Sequence, residues 1–161
     1  MTVRRIFKTV LVGAVALDLT LAALGNLTDY GTNYAFVQHV LAMDTIFKDS
    51  TLRWRALTDP FWARAFYACI IAWEVAAAVL SWAGFFLMAR GGTRWEKGKT
   101  WAEAGLGAAL LLWLLAFLVV GGEWFAMWQS ATWNGTNAAF RMFAVYGIVL
   151  LYVIQPDGGP S

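Results

Sequence analysis

The sequence predicts an all-α protein: a four-helix transmembrane bundle with an amphipathic helix in its first outward loop and both termini cytoplasmic. Composition is the first observation behind this. The 161-residue chain is 60% hydrophobic and only 14% charged, with ten Trp and eleven Phe, against about 25% charged and about 45–50% apolar residues in an ordinary soluble domain. The second is that four stretches, 6–25, 61–89, 100–120 and 138–154, are apolar over the length of about 20 residues that a helix needs to cross a bilayer core. The third is that basic residues cluster at alternate connections. Strands are excluded because no run alternates as barrel strands do, and unpaired backbone in lipid costs several kcal/mol per group.

The first span follows Arg4, Arg5 and Lys8, which the positive-inside rule keeps cytoplasmic. "RRIFK" partly resembles a twin-arginine signal, and the apolar run behind it resembles a secretory leader. Asp18 lies inside that run, which is unusual for a cleaved signal and favours a retained anchor.

The first outward connection, 26–60, is nearly neutral: Lys48, Arg53 and Arg55 face Asp29, Asp44, Asp49 and Asp59. At about 100° per residue, Phe36, Val37, Val40, Leu41, Met43 and Phe47 share one broad arc, with Gln38, Ala42 and Thr45 opposite, so an amphipathic helix is expected. Asn33 is the expected N-cap, since a short polar side chain accepts from the free amides of the first turn. Asp44 falls on the apolar arc. It either pairs with Arg53 or Arg55, because an uncompensated buried charge is prohibitive, or it caps the helix end or meets water at a groove. His39 and Met43 are four apart and so neighbours. One His and one Met make a thin copper site, and a histidine hydrogen-bonded to a loop is the better reading. With a single His in the chain, bis-histidine haem and tri-histidine metal centres are unavailable within this polypeptide.

The second span is longer than a crossing needs, so it tilts or projects from the membrane. Cys69 within it is the chain's one cysteine, which excludes an intrachain disulfide and a Cys-x-x-Cys redox pair and reads as a small buried apolar residue. Arg90, Arg94, Lys97 and Lys99 then fill a short cytoplasmic connection to the third span. The net charge of +2 comes from these flanks, and no basic surface remains for nucleic acid.

The second outward connection, 121–137, carries Glu123, Trp124, Phe125, Met127, Trp128 and Trp133. Indole rings favour the headgroup region, so an aromatic belt is the default. Trp124 and Trp128 share a helical face, which would also suit stacking on an aromatic or quinone ring or packing on a partner protein. "GTNYAF" at 31–36 recurs as "GTNAAF" at 135–140, so Asn33 and Asn137 are expected to cap helices that begin at the outer surface, and a duplicated two-helix unit is one origin. The Asn-x-Thr triplets at 26–28 and 134–136 read as turn chemistry at the membrane boundary rather than as glycosylation acceptors.

Ionisable groups within spans are costly, and are therefore functional candidates by default. Asp18, Glu74, Glu103, Arg64 and Arg141 qualify. About 1.5 Å per residue sets Asp18 about 12 Å and Glu74 about 18 Å below the outer ends of their helices, near enough in depth to share a proton or donor. The alternative is structural: each carboxyl hydrogen-bonds a neighbouring helix. Arg141 is placed to reach Glu123 or Asp18, and Arg64 to snorkel outward.

"NLTDYGTNYAFVQHVLAMDTIF", "RWRAL", "WEKGKTWAEAG" and "GGEWFAMWQS", in this order over almost the entire chain, resemble a bacterial family of predicted small integral membrane proteins of unknown function, domain of unknown function 2165. The resemblance implies four spans and an inner bacterial membrane, and brings no substrate, cofactor or catalytic residue. Two functional expectations follow. One is a non-enzymatic subunit or scaffold that associates, through its outward cap (Asn33, His39, Asp44, Glu123, Trp124, Trp128), with another membrane protein or with itself. The other is a small proton- or ion-coupled transporter using Asp18, Glu74 and Arg141. The broken Gly/Pro spans expected of a carrier are missing, since Pro60, Pro156 and Pro160 lie at or beyond helix ends. An enzyme acting on lipid or quinone ranks third, because no Ser-His-Asp set or metal motif is present, and no cofactor is expected.

Overall fold

The computed structural model describes residues 2–157 and is all-helical over them; Pro160 lies outside the described residues. The long helices are α1 (Val3–Thr28), α3 (Pro60–Arg90), α4 (Trp95–Leu111, continuing as a wider winding over Leu112–Trp124) and α5 (Thr136–Ile154), with α2 (Tyr30–Ala42) between the first two. Four segments are long and apolar enough to cross a membrane: Val3–Thr28, Pro60–Arg90, Gly92–Trp124 and Thr136–Ile154. Their outer faces carry exposed Leu17, Leu21, Val79, Leu115, Ile148 and Leu151, which only a lipid solvent tolerates in such density.

Helix starts follow local chemistry. Thr2 accepts from the Arg5 amide at the head of α1. Asp59 accepts from the Phe61 amide, with Pro60 at the first position of α3, where its missing N–H is no loss. Gly91 and Gly92, at φ 62° and 58°, make the reversal from α3 to α4, a backbone that only glycine adopts freely.

What joins α3 to α4 is the absence of side chains. A Cβ placed on Gly84 would lie 2.6 Å from the Ala102 nitrogen, one on Gly98 2.6 Å from the Met88 nitrogen, and one on Gly105 2.6 Å from the Ser81 nitrogen. With Ala77, Ala102 and Ala109 fully buried on the same seam, the two backbones approach closely, as small residues permit in a membrane where the hydrophobic effect does not drive helix association. α3 packs on α1 as well, and α5 packs on α4. The resulting core holds Val12, Leu19, Leu106, Tyr146 and Val153, and runs to Met88 and Trp95.

Beyond Leu111 the winding of the fourth segment loosens. The Phe125 amide bonds to the Val120 carbonyl, five residues back, the π pattern that is rare in proteins and usually a single turn. Side chains five apart therefore align, and Leu111, Ala116 and Gly121 fall on one cavity wall.

A second core caps one end of the bundle. Val37, Val40 and Leu41 of α2 meet Met43, Ile46, Tyr67 and Phe125 to Met127. Gln38 of the expected polar face is exposed, but Thr45 is half-buried, Phe47 of the expected apolar arc lies exposed beyond the helix end, and three further details differ. α2 starts at Tyr30 with Asp29 at the cap position and no side-chain cap bond, so Asn33 is inside the helix and its Nδ2 donates to the Asp29 carbonyl at 3.4 Å. The physical reason is that α1 runs on to Thr28 and hands its last turn almost directly to α2. At the other repeat, helix α5 begins at Thr136, and Asn134 rather than Asn137 accepts from its first amide at 3.1 Å. Lastly, Met43 adopts φ 51° and ends α2, so Asp44 leaves the helical arc and is exposed.

Candidate functional site

Of the three acids in the spans, Asp18 and Glu74 are paired, each with a different helix, and Glu103 is half-buried on α4. The Tyr146 hydroxyl of α5 donates to Asp18 Oδ2 of α1 at 2.5 Å. Asn26 Nδ2 of α1 donates to Glu74 Oε2 of α3 at 2.7 Å. Tyr67, about two turns before Glu74 on α3, donates through its hydroxyl to the Asn26 carbonyl at 2.8 Å and stands 3.3 Å from its Oδ1. The short bond to the Glu74 carboxyl is what turns the amide nitrogen of Asn26 toward α3. Hydropathy found the acids but not these partners: Asn26, expected in a turn, lies in the last turn of α1 and reaches α3, and Tyr146 carried no local signal. Asp18 and Glu74 are thus brought into separate interhelical bonds rather than one shared one.

Glu74 is 3% exposed and lines a cavity of about 410 Å³ together with Asn26, Asn33, Tyr67, Trp113 and Gly135. A second cavity, of about 240 Å³, lies on the other side of Phe36, Val37, Ile70 and Phe117, which wall both. The remaining walls of this second cavity are apolar, among them Phe66, Trp73, Leu112, Leu115 and Val120. Cys69 is exposed rather than buried, on the rim of that cavity.

The cap residues sort into short contacts. His39 Nδ1 is 2.7 Å from Asp44 Oδ2, with both side chains more than a third exposed (37% and 45%), and the imidazole stacks on Trp133 at 4.6 Å and 11°. Asp44 therefore takes His39, not Arg53 or Arg55. The Arg53 guanidinium instead donates to the carbonyls of Met43, Ile46 and Phe47 at 3.1–3.2 Å, pinning the loop where α2 leaves unpaired acceptors. Arg55 lies over Trp124 and Trp54, at 4.6 and 5.4 Å from the ring centres, and donates to the Trp124 carbonyl. Trp124 and Trp128 do not share a helical face: Ala126 at φ 51° breaks the chain between them, so Trp124 meets Trp54 while Trp128 meets Phe47. Thr45 and Ser130 hydroxyls, 2.8 Å apart, join the two cap loops. Glu123 and Arg141 are exposed, and among the described residues Arg141 pairs with neither Glu123 nor Asp18; its position near the head of α5 turns it outward. Met43 is 1% exposed inside the cap core, and the described residues contain no group of three or more His, Cys, Asp or Glu that would hold a metal.

At the opposite end, sequence reasoning missed a charge cluster altogether. Lys8 has no exposed side-chain surface; its Nζ bonds Asp157 Oδ1 at 2.7 Å and the Gln155 carbonyl. The Trp95 indole N–H donates to the other Asp157 oxygen, and Arg5 Nε approaches that oxygen at 3.3 Å while its guanidinium covers the Trp95 ring at 4.8 Å. Burial works to raise the Asp157 carboxyl, but the bonds from Lys8 and Trp95 and the charges of Lys8 and Lys99 outweigh it and hold it below the usual carboxylate value. The basic flanks of α1 and α4 and the segment after α5 thus meet at one end of the bundle.

Apolar exterior, four crossing-length helices and polar groups turned inward define an integral membrane protein of the small multi-pass class. The model of the family described as DUF2165, predicted small integral membrane protein, matches residues 4–156, and the chain belongs to that family. No curated protein and no solved structure matches the chain.

Proposed function

We propose that the protein is a non-enzymatic subunit or scaffold of the bacterial inner membrane, with both termini cytoplasmic and the aromatic cap turned outward, associating with another membrane protein or with itself. The observation that carries this reading is how the intramembrane polar groups are used. Asp18 and Glu74 are each committed to a neighbouring helix, the role of structural glue, while the cap displays exposed rings at Trp54, Trp124, Trp128 and Phe47. Aromatic residues with an accompanying arginine are enriched at protein contact sites. The orientation is supported by the convergence of Arg5, Lys8 and the 90–99 connection at the end opposite the cap. The single-domain organisation is supported by a core that draws on α1, α3, α4 and α5 together.

The test is the size of the particle released from native membrane by a mild detergent. The expected result is an assembly larger than the 17.8 kDa chain that dissociates when Trp54 and Trp128 are replaced by Ser. A monomer under the mildest conditions overturns the reading.

The second reading, a proton- or ion-coupled transporter using Asp18, Glu74 and Arg141, is favoured by one observation: Glu74 borders a cavity. Asp18→Asn and Glu74→Gln separate the two. Both amides keep an acceptor for Tyr146 and Asn26, so intact assembly with abolished flux supports transport, and intact assembly with unchanged flux supports glue.

A further inference from the structure

We propose that the paired cavities form one binding site for a single-chain amphiphile whose head donates hydrogen bonds and carries no negative charge, a long-chain amine or alcohol. The head sits against Glu74 and the tail crosses into the apolar cavity.

The polar end is built, not incidental. Glu74 is 3% exposed, and among the described residues it receives one hydrogen bond, from Asn26 to Oε2. Its other oxygen receives no hydrogen bond from the described residues, and Glu74 lines the cavity. A carboxyl oxygen with spare acceptor capacity at a largely apolar cavity gains from a donor that a ligand brings. Tyr67 holds Asn26, and Asn26 holds Glu74, so the acceptor is presented in a fixed position before any ligand arrives, which spares the ordering cost of binding.

Charge selects the class of head. No Lys or Arg lines either cavity, so a phosphate or carboxylate would face Glu74 without compensation, an arrangement that costs far more than it returns. An amine or hydroxyl faces no such penalty. The tail follows from the neighbouring space. A cavity of about 240 Å³ with apolar side chains on every wall begins directly behind Phe36, Val37, Ile70 and Phe117, and such cavities stay dry and accept hydrocarbon. Its rim residues Phe66, Cys69, Trp73, Leu111 and Leu115 are exposed on the lipid-facing surface, so an alkyl chain enters sideways from the bilayer without crossing water. The wide winding makes this space: residues five apart bring Ala116 and Gly121, both small, to the wall where larger residues would close it.

The experiment is native mass spectrometry of the full chain in a nonionic detergent, titrated separately with dodecylamine, dodecanol and dodecyl phosphate. One saturable molecule of amine or alcohol per chain is expected, with dodecyl phosphate bound at least tenfold more weakly. Whichever of amine and alcohol binds more tightly identifies the source of the donor. Glu74→Gln, which keeps the side-chain shape and the Asn26 contact, is expected to weaken dodecylamine at least tenfold. Ala116→Leu, which narrows the tail cavity and leaves the head untouched, is expected to shift preference from dodecylamine to hexylamine. Because that is a change of chain-length order, a merely unstable variant does not mimic it. Saturable dodecyl phosphate binding of equal strength, Glu74→Gln without effect, an unchanged chain-length order, or no saturable binding at all overturns the proposal.

Discussion

Asp157→Asn is the most informative single change, because it isolates a charge that the fold has hidden. Lys8 has no exposed side-chain surface, and among the described residues Asp157 is its one carboxylate partner, at 2.7 Å. Removing one member of a buried pair leaves the other uncompensated, at a cost of about 3–5 kcal/mol. Two features of the structure put the expected value at the low end: Asp157 keeps 14% of its side chain exposed, and Lys8 retains the Gln155 carbonyl. A loss of about 3 kcal/mol corresponds to about 6–12 °C in Tm for a chain of this size, read by thermal unfolding in detergent. Arg5 and Trp95 lose only part of their contacts, since the Asn oxygen still accepts. The decisive control is Lys8→Met combined with Asp157→Asn. A buried pair replaced by apolar or neutral groups is often neutral, so the double variant is expected to recover most of the lost Tm. If Asp157→Asn melts within about 1 °C of the parent, or the double variant is no more stable than the single, then Lys8 is not a buried charge held by Asp157 and this account of the basic end is wrong.

Three further outcomes are expected. Stability falls in acid: the Asp157 carboxyl is held below its free value of 3.8, so its contribution is complete above that pH and disappears as pH drops through the folded value; a Tm that holds steady from pH 6 to 3 in the parent, or falls equally in Asp157→Asn, contradicts this. Gly105→Ala forces a methyl within 2.6 Å of the Ser81 backbone nitrogen and should destabilise by about 1–3 kcal/mol, whereas Gly107→Ala, with open space around the new carbon, should leave Tm unchanged or slightly higher; equal effects at the two positions would dismiss the close α3–α4 seam. Tyr146→Phe deletes the bond to Asp18 and should cost about 1 kcal/mol, the scale of interhelical hydrogen bonds in membranes, while Asp18→Asn, which can still accept, costs less; the reverse order in denaturant titrations would mean that Asp18 has another partner.

Much of this protein was readable from its sequence because hydropathy is a local property. Apolar runs of crossing length at 6–25, 61–89, 100–120 and 138–154 announce helices in lipid wherever they pack, and the side of a helix that buries Val37, Val40 and Leu41 is written in their spacing. The intramembrane acids were equally visible, since Asp18 and Glu74 stand alone in oily surroundings. Their partners were not. Tyr146 is 128 residues from Asp18, and Asn26 is 48 from Glu74, and which polar groups meet depends on how each helix is rotated about its axis. That rotation is set by the contact of Gly84, Gly98 and Gly105 with the facing backbone and by the loosened winding after Leu111, neither of which a single-helix pattern encodes. The same holds at the ends. Asp44 turned outward because Met43 closes α2 in a left-handed conformation, and Lys8 became a core residue because Asp157 returns to it from beyond α5. Solvent and secondary structure are decided residue by residue along the chain, whereas partnership between polar groups is decided only when distant segments share a space from which water is excluded.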